Sequence, residues 1–470
     1  MLTISQAFVI LVIFLLSVQF LKLQKARQQF PPGPTPLPLL GNLLHLNFQF
    51  HRDLLMEVAK TYGNIYTLWF GWTPVIILNG FQAVKDGMTT HPEDVAGRMV
   101  SPFLKAMAKG KGEIFLGRSW KQQRRFGIMT LRSLGMGKKG LEYRVQEEAA
   151  HLVETKSRRP VDPSFHLFHS ISNVICAVVF GYHFSDEDKT FHELISATER
   201  IFRFAGSFIY QLYEILPWLM CRLPGPHKRV LSCYDTLSSF ARMEIRRHVE
   251  RGMPDEPRDF IDFYLAEIEK VSPKYDEDNL VHVINDLFLG GSETSSTTLY
   301  WGLLYMVVYP DIQEKVQKEM DAVLGPSQTI CYEDRRKLPY TNAVIHEIQR
   351  FSNIVFVGMP RVCVRNTTLL ASVLYDPEQW ETPRQFNPDH FLDKEGSFVN
   401  REAFLPFSAG KRHRVCLGEH LARTELFIFF ANLLRAFTFR LPEGVTKINT
   451  EPIFGGTLQP HPYKVCAIPR

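Results

Sequence analysis

Phe407-Ser-Ala-Gly-Lys-Arg-His-Arg-Val-Cys416-Leu-Gly418-Glu419 is the stretch on which the reading of this chain turns. A single cysteine stands among four cationic side chains, Lys411, Arg412, His413 and Arg414. An aromatic residue precedes it, and a largely apolar run over residues 421–430 follows. Cationic neighbours lower a thiol's pKa and favour the thiolate, which serves as a nucleophile or as a metal ligand. A buried structural cysteine fits the same local pattern. The segment therefore sets two readings, and the rest of the chain has to separate them.

The chain has 470 residues, 45% of them hydrophobic, which is enough for a large core. No repeat or low-complexity segment follows the first forty residues, so one large catalytic domain is expected rather than several. The net charge of +5 comes without a dense basic run interleaved with aromatics. That argues against nucleic acid and leaves anionic lipid or an acidic protein as partners for a basic face. The seven cysteines, at 176, 221, 233, 331, 363, 416 and 466, are scattered, odd in number and form no CxxC pair. This excludes a disulfide framework and points to a reducing compartment.

Residues 7–16 are unbroken apolar sequence, and the apolar character continues to Leu23 past Ser17, Gln19 and Lys22. That length lies near the lower limit of ~17 residues for a membrane-spanning helix. Positive charge follows the run (Lys22, Lys25, Arg27) and none precedes it, so an uncleaved anchor is favoured over a signal peptide. Basic residues on the C-terminal flank place the body of the protein on the cytosolic side. The sequon at Asn366-Thr-Thr would then never meet the glycosylation machinery. Pro31-Pro-Gly-Pro34, with Pro36 and Pro38, reads as a semi-rigid spacer. The expected organisation is an anchor over residues 1–30, a proline-rich linker over 31–42 and a catalytic domain over 43–470.

Short strands are predicted at 65–70 and 75–78 around a turn containing Gly71. Helical periodicity then dominates: 145–155, 191–204, 231–251, 276–309, 312–324 and 342–351. Strand-like pieces return near 361–370 and in the last thirty residues. The fold class is mostly α with minor β. Gly135-Met-Gly137-Lys-Lys-Gly140 matches GxGxxG, but a basic helical pattern precedes it where a dinucleotide site needs a strand, so the match is dismissed. GxSxG, Walker and HExxH motifs are absent from the sequence.

The predicted helix over 276–309 carries Leu289-Gly290-Gly291-Ser292-Glu293-Thr294 at its middle. Each glycine inside a helix costs roughly 1 kcal/mol relative to alanine. One reason to carry two is a ligand lying close against an opened backbone, with Glu293 and Thr294 beside it. The other is tight helix–helix packing with Glu293 solvated. Glu347-Ile-Gln-Arg350 places a carboxylate and a guanidinium at i, i+3 on one helical face, a pairing common on surfaces. Trp120 and Arg124, at i, i+4, form an indole and guanidinium donor pair suited to carboxylates, or part of an ordinary basic helix.

Together these motifs resemble a cytochrome P-450, a haem-thiolate monooxygenase, of the microsomal vertebrate family 2 kind. The resemblance covers nearly the whole chain, including Pro383-xx-Phe386-x-Pro388-x-His390-Phe391. It implies the P-450 fold: a single large helical domain with small β-sheets behind an N-terminal membrane anchor. It implies that Cys416 is the axial thiolate, and so the metal ligand, of a haem b iron. Thr294 is implied beside bound dioxygen, with Glu293 in the proton path. Trp120, Arg124, Arg98, Arg361 and Arg414 would hold the haem propionates. Glu347, Arg350 and His390 would form a buried triad behind the cysteine loop. Phe103, Leu287, Phe356, Val357 and Leu458 fall where substrate pockets are lined. The implied reaction inserts one oxygen atom into an apolar substrate, such as a fatty acid (arachidonate, for example), a steroid or a xenobiotic. The implied electron donors are an NADPH-dependent flavoprotein reductase and cytochrome b5. Lys121, Arg125, Arg132, Lys138 and Lys139 supply a basic face for the reductase. The implied location is the endoplasmic reticulum membrane.

The chain departs from the family pattern twice. Phe-x-x-Gly-x-Arg-x-Cys-x-Gly fits at Arg414, Cys416 and Gly418, but two inserted residues put Arg412 where the glycine belongs. Residues 365–370 also run straight into Ala371, where relatives carry a hairpin with an Ile-Pro-Lys-Gly turn. That deletion is expected to remove a sheet element and to leave an unpaired edge. The alternative these lesions raise is a catalytically impaired haem-binding or apo variant. Relatives that rearrange peroxides without a reductase tend to lack the helix threonine, and Thr294 argues against that class.

Overall fold

The computed structural model describes residues 3–46, 52–99, 101–108, 120–137, 139–154, 160–252, 254–270, 276–325, 328–363, 367–409 and 414–470. The anchor expected at the N-terminus is a helix, α1 (Ile4–Arg27), opened by a capping box between Thr3 and Gln6. It is long and apolar enough to cross a membrane, and its apolar window is not buried against the protein. Arg27 at its end donates to the Gly33 carbonyl (2.6 Å) and the Thr35 hydroxyl (2.9 Å), which fastens the helix end to the proline segment.

Five strands form one sheet: β1 (Ile65–Phe70), β2 (Thr73–Asn79), β3 (Gly97–Arg98), β4 (Arg361–Val362) and β5 (Thr368–Ser372), in spatial order β1-β2-β5-β4-β3. Gly71 supplies the positive φ (+58°) for the turn between β1 and β2. β5 lies parallel to β2, with Val75 opposite Thr368, and antiparallel to β4. β3 pairs with β4 so that Arg98 stands opposite Arg361. The shortened segment before Ala371 is thus not an edge. β5, which holds its described end, is paired on both flanks, with β2 and with β4.

Helices make up most of the rest. Those used below are α2 (Trp120–Ser133), α3 (Lys139–Glu154), α4 (Ser164–Val179), α5 (Lys189–Ala205), α6 (Pro226–Arg251), α7 (Glu277–Val308), α8 (Pro339–Ser352) and α9 (Glu419–Ala436). α5 and α7 recur where helices are predicted at 191–204 and 276–309, α3, α6 and α8 begin several residues before the predicted starts at 145, 231 and 342, and α4 and α9 are not among the predicted helices. Asp276 caps α7 through the Asn279 N–H (2.7 Å). Proline at the first helical positions starts α6 and α8. At 32 residues α7 is about 48 Å long by its rise per residue. It runs through the main core and packs along α4, α6, α8 and α9. The glycines at 135 and 137 lie between helices α2 and α3, both at positive φ, with no strand before them, as the dismissal of a dinucleotide site requires. Lys138 lies outside the described residues, as do Asn366 and the inserted stretch 410–413.

Candidate active site

Cys416 stands at the closed end of its loop: its N–H donates to the Phe407 carbonyl (3.0 Å), and α9 begins three residues later. The cysteine is accessible, although protein surrounds it closely on nearly every side. Burial pushes the thiol pKa up, while the N–H groups of Gly418 and Glu419 and the Arg124 guanidinium pull the other way.

Arginines gather round this loop from four separate segments. Arg124 on α2 donates to the Val415 carbonyl. Arg361 on β4 donates to Ser408 Oγ (2.9 Å) and the Ala409 carbonyl (3.0 Å). Arg414 donates to the Ala96 carbonyl (2.7 Å) and stacks over the Trp120 ring at 3.6 Å. Arg98, one strand across from Arg361, donates to the Met359 carbonyl (2.8 Å), and its buried Nε has no hydrogen-bond partner. The cluster is electrostatically crowded. Burial, then repulsion from Arg361, Arg414 and Arg124, lowers Arg98 to about 9. Burial and neighbouring arginines bring Arg361 and Arg414 to about 10. An anion among them would relieve that repulsion and give the guanidinium forks carboxylate partners.

Behind the loop, Glu347 and Arg350 on α8 are wholly buried and form a bidentate pair, with both N···O distances 2.7 Å. Arg350 also donates to the carbonyls of Leu374, Pro383 and Gln385 (2.9–3.1 Å). His390 Nε2 accepts from the Thr382 N–H (3.2 Å). The ring proton is therefore on Nδ1, which donates to Glu347 Oε2 (3.2 Å). The spacing that is usually a surface pair is here the centre of the packing between α8 and the 382–390 segment.

On α7, Asp286, Leu287, Gly290, Gly291 and Thr294 are the positions short of full burial between Leu280 and Val307. Their i, i+4 and i+1 spacing makes one stripe along the helix. The two glycines divide the alternatives. A methyl on Gly291 would lie 2.5 Å from Ile175 Cδ1 of α4, so this glycine serves packing. A methyl on Gly290 would meet nothing within 4 Å, so this one borders open space. The expected opening of the backbone does not occur: α7 is continuous, and Thr294 Oγ1 donates to the Gly290 carbonyl (2.8 Å). Glu293 is buried, not solvated, and its Oε1 accepts from Thr297 (3.2 Å), Thr457 (2.8 Å) and Gln459 (2.6 Å). Burial raises its pKa against those bonds.

Of the pocket candidates, Phe356, Val357 and Leu458 share one apolar cluster with β1 and β2. Leu287 packs on the main core, and Phe103 meets Phe204, Tyr210 and Tyr213 at tilted or edge-to-face angles, with ring centroids 5.1–5.5 Å apart. Sequence reasoning missed Asp286. Burial raises its carboxyl to about 8, and Oδ2 has no partner. Its position eight residues before Thr294, on the same face, was the available signal. His248, Asp259 and Asp262 also gather, but Arg251 and Arg258 already bond the acids, which is the arrangement of a helix cap.

An accessible cysteine, a crowded arginine set with a stacked indole and an open helix stripe are donors that suit an iron porphyrin bearing carboxylates. The cytochrome P450 family model matches residues 31–467, and the chain belongs to that family. It is a monooxygenase of the haem-thiolate type. Among its relatives, human cytochrome P450 2J2 is 42% identical over 482 aligned positions, covering 98% of this chain and 95% of the relative. Mouse cytochrome P450 2J5 is 40% identical with the same coverage. Rainbow trout (Oncorhynchus mykiss) cytochrome P450 2K4 is 41% identical over 94% of this chain and 92% of the relative.

Proposed function

We propose that this protein is a membrane-anchored monooxygenase that holds haem b through Cys416 and oxidises apolar substrates: fatty acids such as arachidonate, steroids or xenobiotics. The observation that carries the reading is the accessible yet enclosed Cys416 beside the arginine cluster. When bound, haem supplies activation of O2 and transfer of one oxygen atom to substrate. Arg98, Arg124, Arg361, Arg414 and Trp120 bind the propionates and orient the ring. Glu347, Arg350 and His390 hold the wall behind the cysteine loop. Thr294 holds a proton at its Oγ1 on the open stripe, and Glu293 is the buried proton reservoir one residue away. Leu287, Phe356, Val357 and Leu458 line the substrate space with Phe103 and exclude water from it.

An NADPH-dependent reductase is the electron donor, with cytochrome b5 for the second electron. Lys121, Arg125, Arg132 and Lys139 support that role, being exposed along α2 and the start of α3. The proposed location is the endoplasmic reticulum membrane with the catalytic domain in the cytosol, and α1 with the basic residues that end it supports a membrane anchor of that orientation. The test is a carbonyl difference spectrum of the reduced, membrane-expressed protein. A thiolate-type band is expected, and Cys416→Ala should abolish it. A band that persists in the variant rules out Cys416 as the ligand. Absence of haem from the wild-type protein favours the apo variant instead.

A further inference from the structure

Three consecutive residues of α7 are held in different ways. Glu293 is bonded to Thr457 and Gln459 on one flank. Ser295 donates to Glu425 Oε2 of α9 (2.7 Å) on the other. Thr294 lies between them on the open stripe. Successive residues of a helix are turned about 100° from one another. Two attachments on either side of one residue therefore fix the roll of the helix about its axis, and with it the direction of the residue between.

We propose that the Ser295–Glu425 hydrogen bond is a clamp that aims Thr294 relative to Cys416, which makes Glu425 a positioning residue of the oxygen-insertion chemistry. This rests on the roles given above to Thr294 and Cys416. The clamp joins the two helices that matter: Ser295 follows Thr294 directly, and Glu425 rides on the helix that starts beside Cys416. Both side chains are buried. Glu425 Oε1 has no partner, so the carboxyl is an expensive way to fill this space. A leucine would fill it more cheaply if packing were the whole purpose. Burial, opposed only by the Ser295 bond, raises the carboxyl to about 8, so at neutral pH it is a neutral acid and brings no charge to the interface.

The experiment uses the full-length protein and the variants Ser295→Ala, Glu425→Leu, Glu425→Gln and the double variant Ser295→Ala/Glu425→Leu. Hydrogen peroxide released per NADPH consumed is measured in reconstitution with reductase. Ser295→Ala and Glu425→Leu should each raise this leak several-fold while the thiolate-type carbonyl band remains. Glu425→Gln, neutral and still able to accept from Ser295, should restore the wild-type ratio. Unfolding free energies of the same set should be non-additive, since the two residues form one contact. An unchanged leak in both breaking variants, or additive stabilities, overturns the clamp. The stability cycle reads the link whether or not haem is held. A wild-type protein without the thiolate band would overturn the reading of Cys416 separately.

Discussion

Asp286 is a carboxyl that behaves unlike a carboxylate. It is enclosed on α7, no charged group offsets its burial, and its proton is held to about pH 8. In the unfolded chain the same group ionises near pH 4. Between those values the folded state holds a proton that the unfolded state has released, so stability falls as pH rises through that window and levels off above it. Asp286→Asn carries no such dependence. The variant's melting temperature should therefore gain on the wild type from pH 5 to pH 9, and a constant difference would show that the carboxyl is not held neutral. Residue identities of this kind were unevenly legible. The i, i+3 spacing of Glu347 and Arg350 alone reads as a surface pair, and the cations around Cys416 alone leave a structural thiol open; it was the combination of motifs that singled both out. The Ser295–Glu425 contact joins residues 130 positions apart with no periodic signal, so only the fold brings it into view.

Among elements, α7 tests how much a helix interior can be read from sequence. Its length, N-cap and end at Tyr309-Pro310 were predictable from local rules. Its two glycines were not separable, because what distinguishes them is whether α4 lies against each. The difference has a measurable sign. In the haem-free protein, Gly290→Ala should be stabilising by about 1 kcal/mol through helix propensity, since no protein atom lies in the methyl's path. Gly291→Ala meets Ile175, and overpacking costs of about 1–3 kcal/mol outweigh or cancel that gain. Denaturant melts of the two variants should move apart, and equal shifts would contradict the packing assigned to Gly291. The five-stranded sheet gives the complementary lesson. The deletion before Ala371 was legible, but its outcome depended on β5 reaching β2, which is a tertiary fact.

For the whole molecule, the apolar helix α1 is accompanied by a second apolar surface. Trp72, Phe208, Trp218 and Leu223 are exposed large apolar residues, as are Leu39 and Leu44 of the proline segment and its continuation. They are neighbours in part: a Cβ on Gly71 would lie 3.2 Å from both Ile215 Cγ2 and the Leu39 carbonyl. Such a patch marks a contact surface, and under the proposed membrane location lipid is the contact expected there. Protein lacking residues 1–27 should still sediment with membranes. Adding Phe208→Ser and Trp218→Ser should release it. Full solubility of the truncated chain alone would remove the second contact.

The parallel pairing of β2 with β5 also sets a schedule. About 290 residues separate Asn79 from Thr368 along the chain, yet the two strands lie side by side in the finished sheet. At ribosomal speeds of roughly 5–20 residues per second, roughly 15–60 s of synthesis passes between them. Throughout that interval the β1–β2 hairpin has emerged with one side of its ladder unmet, close behind the apolar helix α1. The nascent chain therefore spends most of its birth with an adhesive strand on offer, and chaperones should be found holding residues 73–79 until translation passes β5.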